Sequence, residues 1–242
     1  GISTQYDAIM TGVEKINPPS RLNLYPYATV ISDDFDGVHT NSYNAGMDLK
    51  YGINDAFTLD ASLIPDFGQV AFDQVILNLG PFEQLFGENR AFFNEGTDLF
   101  NKGGIFFSRR IGQKPSGSEG IELFDDEDII NNPNNAQLLN AVKVTGRTKD
   151  RLGIGFLNAI TAKTEATIEN RLTGERRTQV TEAFTNYNMF VIDQQFSKNS
   201  SVALSNASTI RNGSFTDANV TALVLDHNDK NGANSYRSEL KM

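Results

Sequence analysis

Between positions 66 and 112 the chain gathers Asp66, Glu83, Glu88, Arg90, Glu95, Asp98, Arg109 and Arg110. Two of these carboxyls could serve a glycosidase, where one acid protonates the leaving oxygen and a second carboxylate acts as base or nucleophile. Glu88 and Glu95 are the pair to test for that role. The competing reading is structural. Asp66, Glu83, Glu88 and Glu95 would pair with Arg90, Arg109 and Arg110, because charge removed from water is tolerated only when paired and hydrogen-bonded. Both signs occur here at similar density, which favours the network, and no catalytic residue is assigned. "SRRIG", ending at Gly112, offers guanidinium forks suited to planar acids and phosphates. Read as a strand, it points Arg109 and Arg110 to opposite faces, so only one could meet a ligand. Asp66-Phe67-Gly68 matches the kinase triplet in letters only, with no Gly-rich phosphate loop in context.

Metal and cofactor chemistry finds little support. His39 and His227 are the only histidines, and both fall in loop-like sequence, which suits neither a zinc site nor a nucleophile triad. "DDEDIINNPNN" and "DHNDKNGAN" carry oxygen ligands but miss the EF-hand register. No metal and no cofactor are expected. The absence of Cys excludes disulfides and thiolate sites, and a net charge of -9 argues against a nucleic-acid partner.

The elements around these residues read as strands. "INPPSRLNLYPYATVIS" is an extended lead-in, with Pro18, Pro19 and Pro26 suited to an edge. "SDDFDGVHTN" reads as a loop. Tyr43, Ala45, Met47, Leu49 and Tyr51 then share one face, and after the turn at "GINDA" so do Phe57, Leu59, Ala61 and Leu63. Alternation stops over 65–137. "PFEQLF" and "FNEGTDLF" each suit a helical turn or two, "GGIFFSRRIG" reads as extended, "QKPSGSEG" as a loop and "FDDEDIINNPNNAQ" as a polar turn-rich loop. From Leu138 the pattern returns. Leu152, Ile154, Phe156, Asn158 and Ile160 oppose Gly153, Gly155, Leu157, Ala159 and Thr161. "RLTGERRTQVTE" reads as a long charged connection between hairpins, and further hairpins turn at "SKNS" and "NDKNG".

The fold class is therefore all-β, an antiparallel up-and-down meander. One domain is expected: a lead-in with the first strands over 1–64, an inserted segment over 65–137 and further hairpins over 138–242. No window holds the ~18 apolar residues of a membrane helix. Strands of about 9–11 residues, 39% hydrophobic content and second faces rich in Asn, Gln, Asp, Lys and Gly suit a transmembrane barrel with a polar lumen. The same alternation would also serve a soluble sheet, and the lack of Trp leaves any aromatic belt to Tyr and Phe. The inserted segment is too charged to face lipid and too rich in Phe to float in water. Folded inward as a plug, it would pack Phe92, Phe93, Phe100, Phe106 and Phe107 together; a periplasmic cap is the other arrangement.

"GMDLKYGINDAFTLDASLIPDFGQV", "LNLGPFEQLFGENRAFFNEGTDLF", "GGIFFSRRIG" and "IGFLNAITAKT", in that order, closely resemble a bacterial family of unknown function, domain of unknown function 5916. Members of that family typically carry an N-terminal carbohydrate-binding module of the family-nine type and a long C-terminal outer-membrane β-barrel. The resemblance implies an outer-membrane location in a Gram-negative envelope and outer-membrane lipid as a partner. It makes a glycan the obvious ligand, with envelope proteins as further partners. It also implies that Gly1 follows the missing module and that Met242 precedes barrel closure. The opening "GISTQYDAIMTG", without initiator Met or apolar leader core, fits a part of something longer. The expected function is a non-enzymatic barrel that binds or moves a ligand. An envelope glycan hydrolase and a soluble β-sheet binding module stand as alternatives.

Overall fold

A computed structural model describes residues 21–35, 38–65, 87–197, 199–229 and 234–242. Nine antiparallel strands form one sheet: β1 (Leu22–Phe35), β2 (Val38–Gly52), β3 (Phe57–Leu63), β5 (Leu138–Arg147), β6 (Leu152–Thr161), β9 (Thr185–Gln195), β10 (Ser201–Arg211), β11 (Ala218–Asn228) and β12 (Ser235–Lys241). Each pairs with the next in that order, so the meander expected from the alternation is the observed topology. β4 (Glu127–Asn131), β7 (Thr164–Asn170) and β8 (Arg176–Glu182) form a second, three-stranded sheet. Among the described residues β1 and β12 are edges and do not pair with each other, so the ring is not closed. Pro26 sits on edge strand β1, where its missing N–H costs no central ladder bond.

Four local expectations are corrected. "SDDFDGVHTN" is not a loop: β1 runs to Phe35 and β2 starts at Val38. Polar side chains suffice there because a projecting hairpin needs only its backbone ladder, and Asp34 pairs across it with His39. "FDDEDIINNPNNAQ" and "RLTGERRTQVTE" contain β4 and β8. Their charges are matched between strands: Arg177 makes two bonds to Glu127, at 2.8 and 2.6 Å, and Arg176 meets Glu169 at 2.6 Å. The Arg177 bonds hold the Glu127 carboxyl down at about 2. Finally, "SRR" is a 3-10 turn, Ser108–Arg110, and not extended. Its main-chain carbonyls are drawn toward a buried guanidinium, as described below.

The ends of the large sheet differ. The strand ends at Gly52 and Phe57, Arg147 and Leu152, Gln195 and Ser201, and Asn228 and Ser235 lie at one end, and those at Phe35 and Val38, Leu63 and Leu138, Thr161 and Thr185, and Arg211 and Ala218 at the other. The long insertions therefore all leave from a single end.

Its faces differ more. One face carries Leu24, Leu49, Ala61 and Val142 in one register row, and Ile154, Ile192, Leu204, Leu223 and Leu240 in another. Phe156 and Phe190 face each other on it, each 40% exposed. No described element covers these side chains. A strip of amides crosses the same face, where Asn158 donates to Asn186 and Asn188, and Asn206 donates to Asn219. The opposite face carries Ala141, Lys143, Gly153, Gly155, Leu157, Ala159, Met189, Val191, Ala203 and Ser205, all buried.

Candidate functional site

What buries that second face is the segment 87–112. Helix α1 (Ala91–Asn94) and two 3-10 turns, Lys102–Gly104 and Ser108–Arg110, lay Phe93, Leu99, Phe100 and Ile111 against Ala141, Leu157, Ala159, Met189 and Val191. The sheet's small residues make room. A Cβ on Gly155 would lie 3.0 Å from the Phe100 ring, so the ring occupies the space a side chain would need. Gly103 is a second close approach, with φ +79 and only 2.8 Å between a would-be Cβ and that of Ala222. The alternation of small and large residues along β6 and β9 is thus a template for this segment.

Arg90 is the centre of the segment's polar interior. Its guanidinium makes a bidentate pair with Glu88, at 2.9 and 2.7 Å, and donates to the carbonyls of Ile111 at 2.7 Å and Ser108 at 2.8 Å. Ser108 Oγ and the Arg90 N–H donate to the same carboxylate. The guanidinium also stands 4.3 Å over the Phe93 ring. Burial pushes the Glu88 carboxyl up, but the bonds from Arg90 and Ser108 outweigh it and hold Glu88 below the ordinary glutamate range. The 3-10 turn at Ser108–Arg110 exists because its carbonyls close on this one cation.

Lysines fasten the segment to the sheet from both sides. Lys143, wholly buried on β5, donates to the carbonyls of Phe92 at 2.7 Å and of Glu95, stands 4.8 Å over the Phe92 ring, and lies 3.6 Å from Asp60. Lys50 on β2 donates to Glu95 at 2.7 Å, and that bond lowers the Glu95 carboxyl below its usual range. In the reverse direction, Lys102 leaves the segment, donates to Ser201 at 3.1 Å and lies 3.5 Å from Asp193. Buried Asp193 is also held by Arg147 at 2.5 Å.

The candidate residues separate accordingly. Glu88 and Arg90 meet, as the charge density suggested; Glu95 meets a lysine on β2 instead of an arginine. Both carboxyls are held ionised, whereas a glycosidase acid needs a raised value, so the geometry is that of a lock. Arg109 is half-buried in the turn, and Arg110 lines a small cavity with Phe107. Because the turn is not a strand, opposite faces no longer separate the two arginines. Phe92, Phe93, Phe100 and Phe106 belong to one hydrophobic cluster, Phe92 against Phe93 at 5.0 Å, edge-on, and Phe100 against Phe106 at 6.2 Å, while Phe107 lines the small cavity. Their main partner is the sheet. Asp66 and Glu83 lie outside the described residues. Among those residues no group of three or more His, Cys, Asp or Glu is arranged to hold a metal ion.

Lys143 and Lys102 were absent from the candidate set. An inward-parity lysine between Ala141 and Thr145 signals a partner across the sheet, since its charge cannot be left unpaired there.

No curated protein matches the sequence, and no solved structure matches it. The family model described as domain of unknown function (DUF5916) matches residues 18–242. The match spans all nine strands of the large sheet and the segment locked onto it, and the chain belongs to the DUF5916 family.

Proposed function

We propose that the chain builds part of the wall of an outer-membrane β-barrel in a Gram-negative envelope, with the segment 87–112 turned into the lumen as a plug and the assembly binding or passing a ligand. The observation that carries the reading is the uncovered apolar face of the large sheet. A soluble sheet of this width buries such a face under a second layer; here the described second layer lies on the opposite face.

Two further features support it. Seven of the nine strands have ten or more residues, enough to cross a bilayer at a tilt. The apolar band also runs obliquely to the register rows. On β1 and β2 it reaches from Leu22 and Tyr51 out to Val30 and Tyr43, toward the end with the long insertions. On β10 and β11 it centres on Leu204, Leu223, Val202 and Leu225, near the short connections. A belt level with a membrane crosses rows in this way when strands tilt by roughly 35–45°. Short turns then face the periplasm, and the plug enters from outside the cell. The sugar-binding module implied by the family resemblance makes a glycan the first ligand to try.

Fractionation tests this directly. The full chain, exported in Gram-negative cells, should stay in the outer-membrane pellet through an alkaline carbonate wash and leave it only with detergent. A monomer that stays in solution without detergent would show the open face to be covered by other means, and the proposal would fall.

A further inference from the structure

We infer that the turn Lys102–Gly104 is a releasable latch: the covering segment opens locally there, over β10–β11, while its Arg90 and Lys143 anchors hold. The two kinds of fastening differ in bond length. Lys143 reaches the Phe92 carbonyl at 2.7 Å, and the Arg90 guanidinium makes four bonds of 2.7–2.9 Å. Lys102 donates to Ser201 at 3.1 Å but faces its two carboxylates at 3.5 Å for Asp193 and 3.7 Å for Asp226, at or beyond the limit of a hydrogen bond. Oδ1 of Asp193, the oxygen turned to Lys102, is buried and accepts no hydrogen bond among the described residues. The Lys102 side chain is a quarter exposed, so water can take up the ammonium as it leaves.

The consequences of release differ too. Pulling Arg90 away leaves Glu88 buried without its cation. Pulling Lys102 away leaves Asp193 with Arg147, and Asp226 with Arg237 at 3.6 Å. No buried charge is then orphaned, which is the costly outcome. The backbone suits a swing. Gly103 and Gly104 follow one another with φ of +79 and +56, conformations that glycine adopts at little cost. Gly103 lies against Ala222, Ser205 and Val224, whereas a would-be Cβ on Gly104 meets nothing within 4 Å among the described residues. Lifting the turn uncovers Ser201, Ser205, Ala222 and Val224, all now buried. If the segment is the plug of the proposed function, that strip of small side chains becomes a passage beside a plug that stays in the lumen.

Only this last role rests on the membrane reading; the opening itself is measurable in detergent, wherever the sheet resides. A thiol introduced by Ser205→Cys, close to serine in size and beneath Gly103, reports opening by its rate of alkylation with a water-soluble maleimide. Ala141→Cys, buried in the cluster with Phe93 and Ile111, reports the anchored part. In the detergent-solubilised full chain, Lys102→Met should speed alkylation at 205 about tenfold or more, as expected for the loss of a hydrogen bond from a charged group, and leave the rate at 141 unchanged. Raising NaCl from about 0.05 to about 0.5 M shortens the screening length about threefold. It should speed alkylation at 205 when Lys102 is present and not in Lys102→Met. Equal acceleration at 205 and 141 would mean general loosening and overturn the inference. So would a rate at 205 that Lys102→Met leaves unchanged, or one that salt does not raise when Lys102 is present.

Discussion

Leu157 and Phe156 are neighbours on β6, yet one is fully buried and the other 40% exposed. The same contrast runs across β9 and β10, where Val191 and Ala203 are buried on the covered face and Ile192 and Leu204 face outward uncovered. In a soluble sheet the larger apolar side chains would be the buried ones. Here the covered face mixes glycine, alanine and serine with buried Leu157, Met189 and Val191 and scattered charge, and the open face carries phenylalanine, leucine and isoleucine beside a strip of asparagines. The difference teaches that the covered face is shaped to fit one specific segment, and on the reading proposed here the open face is left for hydrocarbon.

The largest effect should come from the covered side. Arg90→Ala leaves Glu88 buried without its cation and strips two carbonyls of their donor; the expected cost is about 5 kcal/mol in urea unfolding of the detergent-solubilised protein. Phe100→Ala, on the sheet-facing side of the covering segment, should cost about 3–5 kcal/mol, while Phe156→Ala on the open face should cost about 1 kcal/mol or less. Equal costs would erase the contrast between the faces. Lys143→Met removes the donor to the Phe92 and Glu95 carbonyls and should lose about 2–3 kcal/mol, read as faster proteolysis of 87–112 as well as lower stability.

Acid should act through the lock. Glu88 titrates lower in the folded protein than the ordinary 4.5, so the stability it adds is complete above that value and is lost as pH falls through its folded value. Limited proteolysis of the segment should therefore rise below about pH 4.5, with the step reduced in Glu88→Gln. The Lys50–Glu95 pair is exposed, and Glu95→Gln should change stability by about 1 kcal/mol or less.

Much of this contrast was legible in the sequence. Period-two alternation in "LGIGFLNAI" shows both faces and their order on β6. It does not say which face is covered, because a run such as Gly153, Gly155 and Ala159 gains meaning only when Leu99 and Phe100 fill the space above it. β4 and β8 escaped notice because their charges are balanced across strands, by Glu127 with Arg177, and not along them. The Glu88–Arg90 pair was readable from proximity. Its dependence on the Ser108 and Ile111 carbonyls was not, since a main-chain acceptor leaves no mark in composition, and the same holds for Lys143 meeting Phe92 and Glu95 across about fifty residues.

The chain has no cysteine, so single cysteines can carry a spin label without background. Collision of a label at Leu204→Cys with oxygen and with a water-soluble nickel complex, in lipid vesicles, tests the central claim most directly, with a label at exposed Glu119→Cys as the aqueous reference. Hydrocarbon contact predicts frequent oxygen collisions and few with nickel at 204, and the reverse at 119. A label at 204 that meets nickel as readily as the one at 119, or is shielded from both reagents, would contradict it.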